Sequence, residues 1–212
     1  MDLACHDIDA PARAGGSVAA ARRRRSADAK RGFDIVAGCC LLILSLPALA
    51  TASLLIRLTS RGPCLFWSER VGRDGRAFAL PKLRTMRVGA PLAPRETMFE
   101  SDAVTPIGGW LRRTSLDELP QLWCVVWGDM SLVGPRPLLA EDDGVRERAR
   151  LGYRHTARPG LTGLAQIRGR NRVSPRRKAL YDRFYAEHTS LGLDAKILAA
   201  TVRKVIQRAD VL

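Results

Sequence analysis

With 212 residues, 46% of them apolar, the chain has room for one domain of ordinary size plus appendages, which excludes a second full catalytic domain. Its formal charge of +14, from 35 Lys and Arg against 21 Asp and Glu, points to an anionic partner such as phosphate, nucleic acid or an acidic membrane surface, and arginine-rich coding bias is the competing explanation. Five cysteines without C-x-x-C or zinc spacing and three scattered histidines offer neither a metal cluster nor a Cys/His dyad, and fit a reduced, cytosolic environment.

Residues 1–29 are rich in Ala, Arg, Gly and Asp, include the run Arg22-Arg23-Arg24-Arg25 and carry no sustained period, so they read as a disordered basic tail. Residues 35–56 hold no charge and as a straight helix would extend about 33 Å, enough to cross a bilayer. Two features oppose a simple crossing. Both flanks are basic, Lys30 and Arg31 before and Arg57, Arg61 and Arg70 after, so each end prefers the cytoplasm. Pro47 near the centre removes a backbone hydrogen bond, and Ser45 stands close enough to satisfy a freed carbonyl. A helix broken there dips into one leaflet and returns; a kinked span is an alternative, and a cleavable signal fits poorly because the apolar run is long and starts late. These features divide the chain into a tail (1–29), a re-entrant membrane helix (30–58) and a cytosolic catalytic domain (59–212).

Cys64 to Val71 and Arg76 to Leu80 flank an Asp74-Gly75 turn and predict a β-hairpin, with Lys82 and Arg84 directly after it. Residues 87–103 read as a loop. Thr105-Pro106 reads as a helix start, the helix ending near Arg113. A second helix begins around Ser115 to Glu118 and stops at Gly128. Loops follow at 134–137, 158–163 and 169–175, each carrying arginine (Arg136, Arg158, Arg170) and each suited to wrapping a phosphate. Leu180, Tyr181, Phe184 and Tyr185 form one helical stripe, and Leu193, Ile197, Leu198, Thr201, Val202, Val205 and Ile206 another, which either packs on the core or lies in a membrane interface. There is no G-x-G-x-x-G and no P-loop, so a dinucleotide or kinase-like ATP site is unsupported.

The most informative stretch is 114–137, where the adjacent acids Asp117 and Glu118 lie between Arg112-Arg113 and Arg136. Guanidinium forks hold diphosphate while a carboxylate attacks phosphorus, which gives this grouping a chemical reading. Its structural counterpart is a capping box, Ser115-x-x-Glu118, which explains both acids without chemistry. Pro120 sits uncomfortably in such a cap, and the two readings are compatible because a helix N-terminus also attracts anions.

The ordered motifs Lys30-Arg31-x-x-Asp34, Arg70-Val71-Gly72, Lys82-x-Arg84-Thr85-Met86, Leu111-Arg112-Arg113-x-Ser115-Leu116-Asp117-Glu118-Leu119-Pro120-Gln121, Gly128 to Pro137, Arg158 to Gly163 and Gly169-Arg170-Asn171 resemble the bacterial sugar transferases, the monotopic polyprenyl-phosphate phosphoglycosyl transferases. The likeness runs from about Lys30 to the C-terminus. It implies an α+β, mainly helical fold with a re-entrant membrane helix, a β-hairpin and amphipathic interfacial helices. It also implies transfer of a sugar 1-phosphate from a UDP-sugar to polyprenyl (undecaprenyl) phosphate with release of UMP, Mg²⁺ dependence, and work at the cytoplasmic face of a bacterial inner membrane at the first membrane step of a surface glycan pathway. Carried over by motif, Asp117 is the nucleophile and the Mg²⁺ contact, and Glu118 orients metal or assists deprotonation of the acceptor. Lys82, Arg84, Arg112, Arg113, Arg136, Arg158 and Arg170 are implied to hold phosphate or nucleotide charge. Ser45 and Pro47 mark the membrane break. Membrane lipids, downstream glycosyltransferases and a second copy of the chain are the further partners the likeness admits. Four positions depart from the family pattern: Leu46 precedes Pro47, Ser68 stands where glutamine is common, Ala103 where arginine is frequent, and Cys124 where asparagine is usual. A membrane-tethered nucleic-acid binder is the rival reading, and it lacks any helix-turn-helix, zinc finger or basic-aromatic motif.

Overall fold

The computed structural model describes residues 13–90, 103–153, 155–169 and 173–207. Helix α1 (Arg13–Thr59) is one element of 47 residues with Pro47 inside it. The stretch 13–29, expected to be disordered, is helical and runs into the apolar segment, in keeping with the high helix propensity of its Ala and Arg residues. Residues 1–12 lie outside the described residues. The helix runs through Pro47 without interruption although the proline cannot donate to Ile43, and the expected Ser45 rescue takes another form. The Ser45 hydroxyl donates to the Leu42 carbonyl at 2.8 Å rather than to the carbonyl four residues before the proline, and the Thr51 hydroxyl donates to the Pro47 carbonyl at 2.9 Å.

One narrow stripe of α1 faces the rest of the protein: Asp34, Ser45, Ala52 and Ile56 are buried, and Ala37, Leu42 and Leu49 pack beside them. The spacing of three and four residues keeps these positions on one face over the whole apolar segment. The opposite face is uncovered, with Leu44 76%, Val36 66% and Leu58 72% exposed. Each end of the apolar segment is fastened to the same folded body. At the N-terminal end Lys30 Nζ donates to Asp194 Oδ2 (2.6 Å) and to the Val133 carbonyl (3.1 Å). Arg31 donates to the carbonyls of Val125 and Val126, and Asp34 Oδ1 accepts from the Leu132 amide at 3.0 Å. At the C-terminal end the buried Arg84 guanidinium donates to the Ser60 carbonyl (2.9 Å), the Ser60 hydroxyl (2.8 Å) and the Arg61 carbonyl. Those carbonyls are among the groups a helix end leaves without intrahelical donors.

The hairpin forms as the sequence predicts. Strands β1 (Leu65–Val71) and β2 (Ala77–Leu83) pair antiparallel, Val71 opposite Ala77, around a turn in which Asp74 and Gly75 both take positive φ. The Thr105 hydroxyl accepts from the Gly108 amide at 3.1 Å, and α2 (Gly108–Thr114) follows, two residues later than Thr105-Pro106 suggested. The second expected helix is divided. A 3-10 segment occupies Leu116–Gln121, and α3 (Leu122–Trp127) ends where expected, at Gly128, whose φ of 115° supplies the left-handed cap and whose amide donates to the Cys124 carbonyl.

Two three-residue strands, β3 (Ser131–Val133) and β4 (Gly160–Thr162), pair in parallel and were not foreseen. Between them lies α4 (Asp143–Arg150), and after them come α5 (Leu164–Ile167), α6 (Pro175–Glu187) and α7 (Leu191–Ile206). Serines cap the last two helices: Ser174 Oγ accepts from Arg177 N, and Ser190 Oγ from Leu193 N. The main core joins β2, α3, β3, α6 and α7 through Leu80, Leu122, Val125, Met130, Val133, Tyr185 and Ile197; a second cluster of Ala52, Ile56, Leu83 and Leu111 seats the end of α1.

The two C-terminal stripes divide between core and surface. In α6 the buried face is Ala179, Asp182 and Tyr185, while Leu180 and Phe184 point outward at 45% and 48% exposure. In α7 Ile197 is buried and Leu193 and Leu198 pack against the core, whereas Val202 and Val205 are exposed. Packing takes the first part of α7, and its last turns keep apolar side chains on the surface.

Candidate functional site

Pro120 decides the local form of the acid pair. Without an N–H it cannot donate to Leu116 as an α-helix requires, and the segment closes instead as a 3-10 helix. Ser115, at φ 57°, reverses the chain between α2 and this segment and makes no side-chain cap bond. The capping box is therefore not formed, and the Glu118 carboxylate is available for long-range contacts. Glu118 Oε1 lies 3.1 Å from Lys82 Nζ and 3.7 Å from Arg136 Nη2. Asp117 is buried at 5% exposure, on the same rigid segment.

A narrow cleft opens around this ion-pair group, walled by the hairpin, the 3-10 segment, the loop after β3 and the start of β4. Strand alternation places Arg70, Leu80 and Lys82 on one face of the hairpin, because Arg70 stands opposite Phe78 and Ser68 opposite Leu80. All three line the cleft, as do Glu118, Gln121 and Arg136. Burial, and after it the neighbouring positive charge of Arg136, holds the Arg70 guanidinium below its ordinary range, while Asp142 and Glu118 act in the other direction. Two guanidiniums and an ammonium gathered around one carboxylate form a site whose like-charge repulsion an incoming anion relieves.

Arg136 is carried by a loop that is held from behind. Buried Arg148 makes a two-pronged contact with Asp182, 3.0 Å through Nε and 2.6 Å through Nη2, and Nη2 also donates to the Arg136 carbonyl at 2.8 Å. At the loop's other root, the Tyr185 hydroxyl lies 2.8 Å from the Val133 carbonyl and 2.7 Å from Asp194 Oδ1. Burial, and then Asp194, push the Tyr185 phenol up, which keeps it a hydrogen-bond donor at neutral pH. Gly134 and Gly160 bring β3 and β4 so close that a Cβ on either would strike the facing backbone.

The expected site residues fall into three groups. Lys82, Glu118 and Arg136 converge, and Asp117 is next to Glu118 in the chain and buried but is not among the residues that line the cleft. Arg112 is buried with Nε donating to Thr85 Oγ1 at 2.9 Å, Arg84 binds the end of α1, and Arg113 is exposed on the last turn of α2. The charges that act on Arg158 are Arg31, Arg73, Asp34 and Asp129, a neighbourhood distinct from that of Arg70; burial and the two arginines lower its pKa. Arg170 lies outside the described residues. Two residues of the cleft were not picked out in the sequence. Arg70 needed the hairpin register to place it beside Lys82, and Gln121 needed the 3-10 period, which sets residues three apart on one face with Glu118.

A family model described as bacterial sugar transferase matches residues 25–208. The chain is 41% identical over 197 residues to the UDP-galactose-lipid carrier transferase of Erwinia amylovora, covering 84% of this chain and 40% of that protein. It is 40% identical over 189 residues to the undecaprenyl-phosphate glucose phosphotransferase of Komagataeibacter xylinus, covering 84% and 36%. To the UDP-glucose:undecaprenyl-phosphate glucose-1-phosphate transferase of Caulobacter vibrioides it is 43% identical over 187 residues, covering 84% and 69%. The chain thus spans about two fifths of the length of the first two relatives.

Proposed function

The chain belongs to the bacterial sugar transferase family, and from that premise we propose that it moves a sugar 1-phosphate from a UDP-sugar to undecaprenyl phosphate, releasing UMP. The observation that carries this reading is the convergence of Arg70, Lys82 and Arg136 on Glu118, beside the buried Asp117. Three fixed cations less the Glu118 carboxylate leave the two positive charges that complement a sugar-linked diphosphate, and a carboxylate on the same segment supplies a nucleophile.

In the proposed reaction an Asp117 carboxylate oxygen attacks the β-phosphorus, the bond from that phosphorus to the bridging oxygen breaks, and UMP leaves with the bridging oxygen. The product is an acyl phosphate in which the Asp117 carboxylate is joined to the phosphorus of the sugar phosphate. A phosphate oxygen of undecaprenyl phosphate then attacks the same phosphorus, and the Asp117 carboxylate is restored. Lys82, Arg70 and Arg136 hold the phosphoryl oxygens as charge is redistributed. Glu118 keeps these cations apart and oriented before the donor binds, and yields part of its pairing to the phosphates.

Among the described residues no three His, Cys, Asp or Glu side chains stand close enough to cage a metal. An adjacent carboxylate pair nonetheless suits Mg²⁺, which uses one or two carboxylates and completes its shell with phosphate oxygens and water. Asp117 would be the protein contact, and the ion would supply charge neutralisation at the diphosphate.

The covered stripe of α1 and the attachment of both its ends to one body support a membrane helix that enters and leaves on the same side. The exposed face of Val36, Leu44 and Leu58 would meet acyl chains, and the acceptor lipid would reach the site from the same leaflet at the cytoplasmic face. The test is UMP release from a panel of UDP-sugars by protein in lipid with Mg²⁺ and undecaprenyl phosphate. Release with one donor, absent in Asp117→Asn, is expected; release undiminished by that substitution contradicts the assignment of Asp117.

A further inference from the structure

Gln121 is 3% exposed and lines the cleft, yet among the described residues its side-chain Nε2 has no hydrogen-bond partner. A buried amide left in that condition is costly in a folded protein, and such a group commonly finds its partner in a bound ligand. Its surroundings define that ligand. On the 3-10 segment Gln121 follows Glu118 by three residues and shares its face, so it borders the cleft that Arg70, Lys82 and Arg136 also line, with its Nε2 buried behind that surface. The three cations in that space select an oxyanion, and an amide N–H adds a directed neutral donor to it.

We propose that Gln121 is a substrate contact that donates a hydrogen bond to a non-bridging oxygen of the β-phosphoryl group of the donor. This deepens the reading of the cleft given above and rests on it. Asp117, the proposed attacking group, sits four residues before Gln121 in the same short segment, so donor and nucleophile keep a fixed relation without a moving part. A neutral donor offers what a fourth cation would not. It orients the phosphoryl oxygen without adding to the repulsion between Arg70 and Arg136.

The experiment compares wild type with Gln121→Met, which keeps length and volume and removes the amide. Binding of UDP and of UMP is measured by calorimetry, together with thermal stability of the ligand-free protein. The expected result is a loss of about tenfold in UDP affinity with UMP affinity within about twofold, and an unchanged or higher melting temperature, because an unpartnered buried amide has been removed. Equal UDP binding by both proteins overturns the proposal, as does a parallel loss for UDP and UMP, which would place the amide on the nucleoside or α-phosphate. A lower melting temperature with unchanged UDP affinity assigns Gln121 to the fold instead. If wild type binds neither nucleotide, the reading of the cleft itself falls, a result distinct from all of these.

Discussion

Lys82 and Glu118 form an ion pair at 3.1 Å with side-chain exposures of 21% and 11%, so the pair is partly shielded and its members hold each other in place. On the proposed function the diphosphate of the donor takes over part of this pairing. Lys82→Met is expected to weaken UDP binding and to lower kcat/KM for UMP release about a hundredfold, and Lys82→Arg to recover part of the loss in steady-state assays. His155 provides a pH test away from the chemistry. Burial, and then Arg148, hold its imidazole below the usual range, and Tyr153 packs against its ring at 5.0 Å. Its folded pKa is depressed, so above about pH 6.5 both states are neutral and the residue contributes nothing to pH dependence. As pH falls below that value the unfolded chain takes up the proton first and stability declines. Because His155 has φ 52°, His155→Asn tolerates the backbone, and thermal melts from pH 7.5 to 5 are expected to show a shallower decline than wild type.

Among the elements, the hairpin and the end of α3 were legible because their signals are local: Asp74-Gly75 supplies two positive φ angles, and Gly128 a left-handed cap. The β3 and β4 pair was hidden because each strand has three residues and its partner lies far along the chain, so no period develops. Ser115-x-x-Glu118 misled because Ser115 makes no side-chain cap bond and the segment it opens is a 3-10 helix in which Glu118 pairs with Lys82. Arg136 and Arg84 both read in the sequence as phosphate-binding arginines, so sequence could not tell the first, which reaches Glu118, from the second, which caps α1. Cys124, which stands where an asparagine is usual in the family, is buried with its thiol pushed up to about 11 by burial and then by Asp129, and Sγ lies 3.7 Å from the Ala79 carbonyl, joining α3 to β2. The Arg148–Asp182 pair is the element-scale support of the loop that carries Arg136. Arg148→Met leaves a buried carboxylate alone and is expected to cost about 3–5 kcal/mol in denaturant titrations. Asp182→Leu combined with Arg148→Met should recover much of that stability but not the turnover, since the Arg136 carbonyl loses its donor.

For the whole molecule, the central geometric fact is that a helix with an apolar run long enough for a bilayer keeps one face on the folded body and is bound to it at both ends. A straight crossing would carry Arg84 and Asp194 to opposite sides of the membrane together with the helix ends they bind. Cysteines introduced singly at Arg25 and Arg61, in a background lacking the five native cysteines, are therefore expected to react with an impermeant maleimide from the same side of sealed vesicles. On the proposed function, such an arrangement would set the cleft close to the leaflet that presents the acceptor lipid and would make the anchor part of the site's scaffold rather than a tether.

The account rests on Asp117 as the atom donor of a covalent step, and intact-mass spectrometry tests it most directly. Protein in lipid, incubated with Mg²⁺ and its UDP-sugar but without undecaprenyl phosphate, is predicted to gain the mass of one phosphosugar on the peptide containing Asp117, to lose it on addition of the acceptor, and to gain nothing in Asp117→Asn. Turnover to the lipid-linked product with no adduct on that peptide under these conditions, or an adduct that persists in Asp117→Asn, would contradict it.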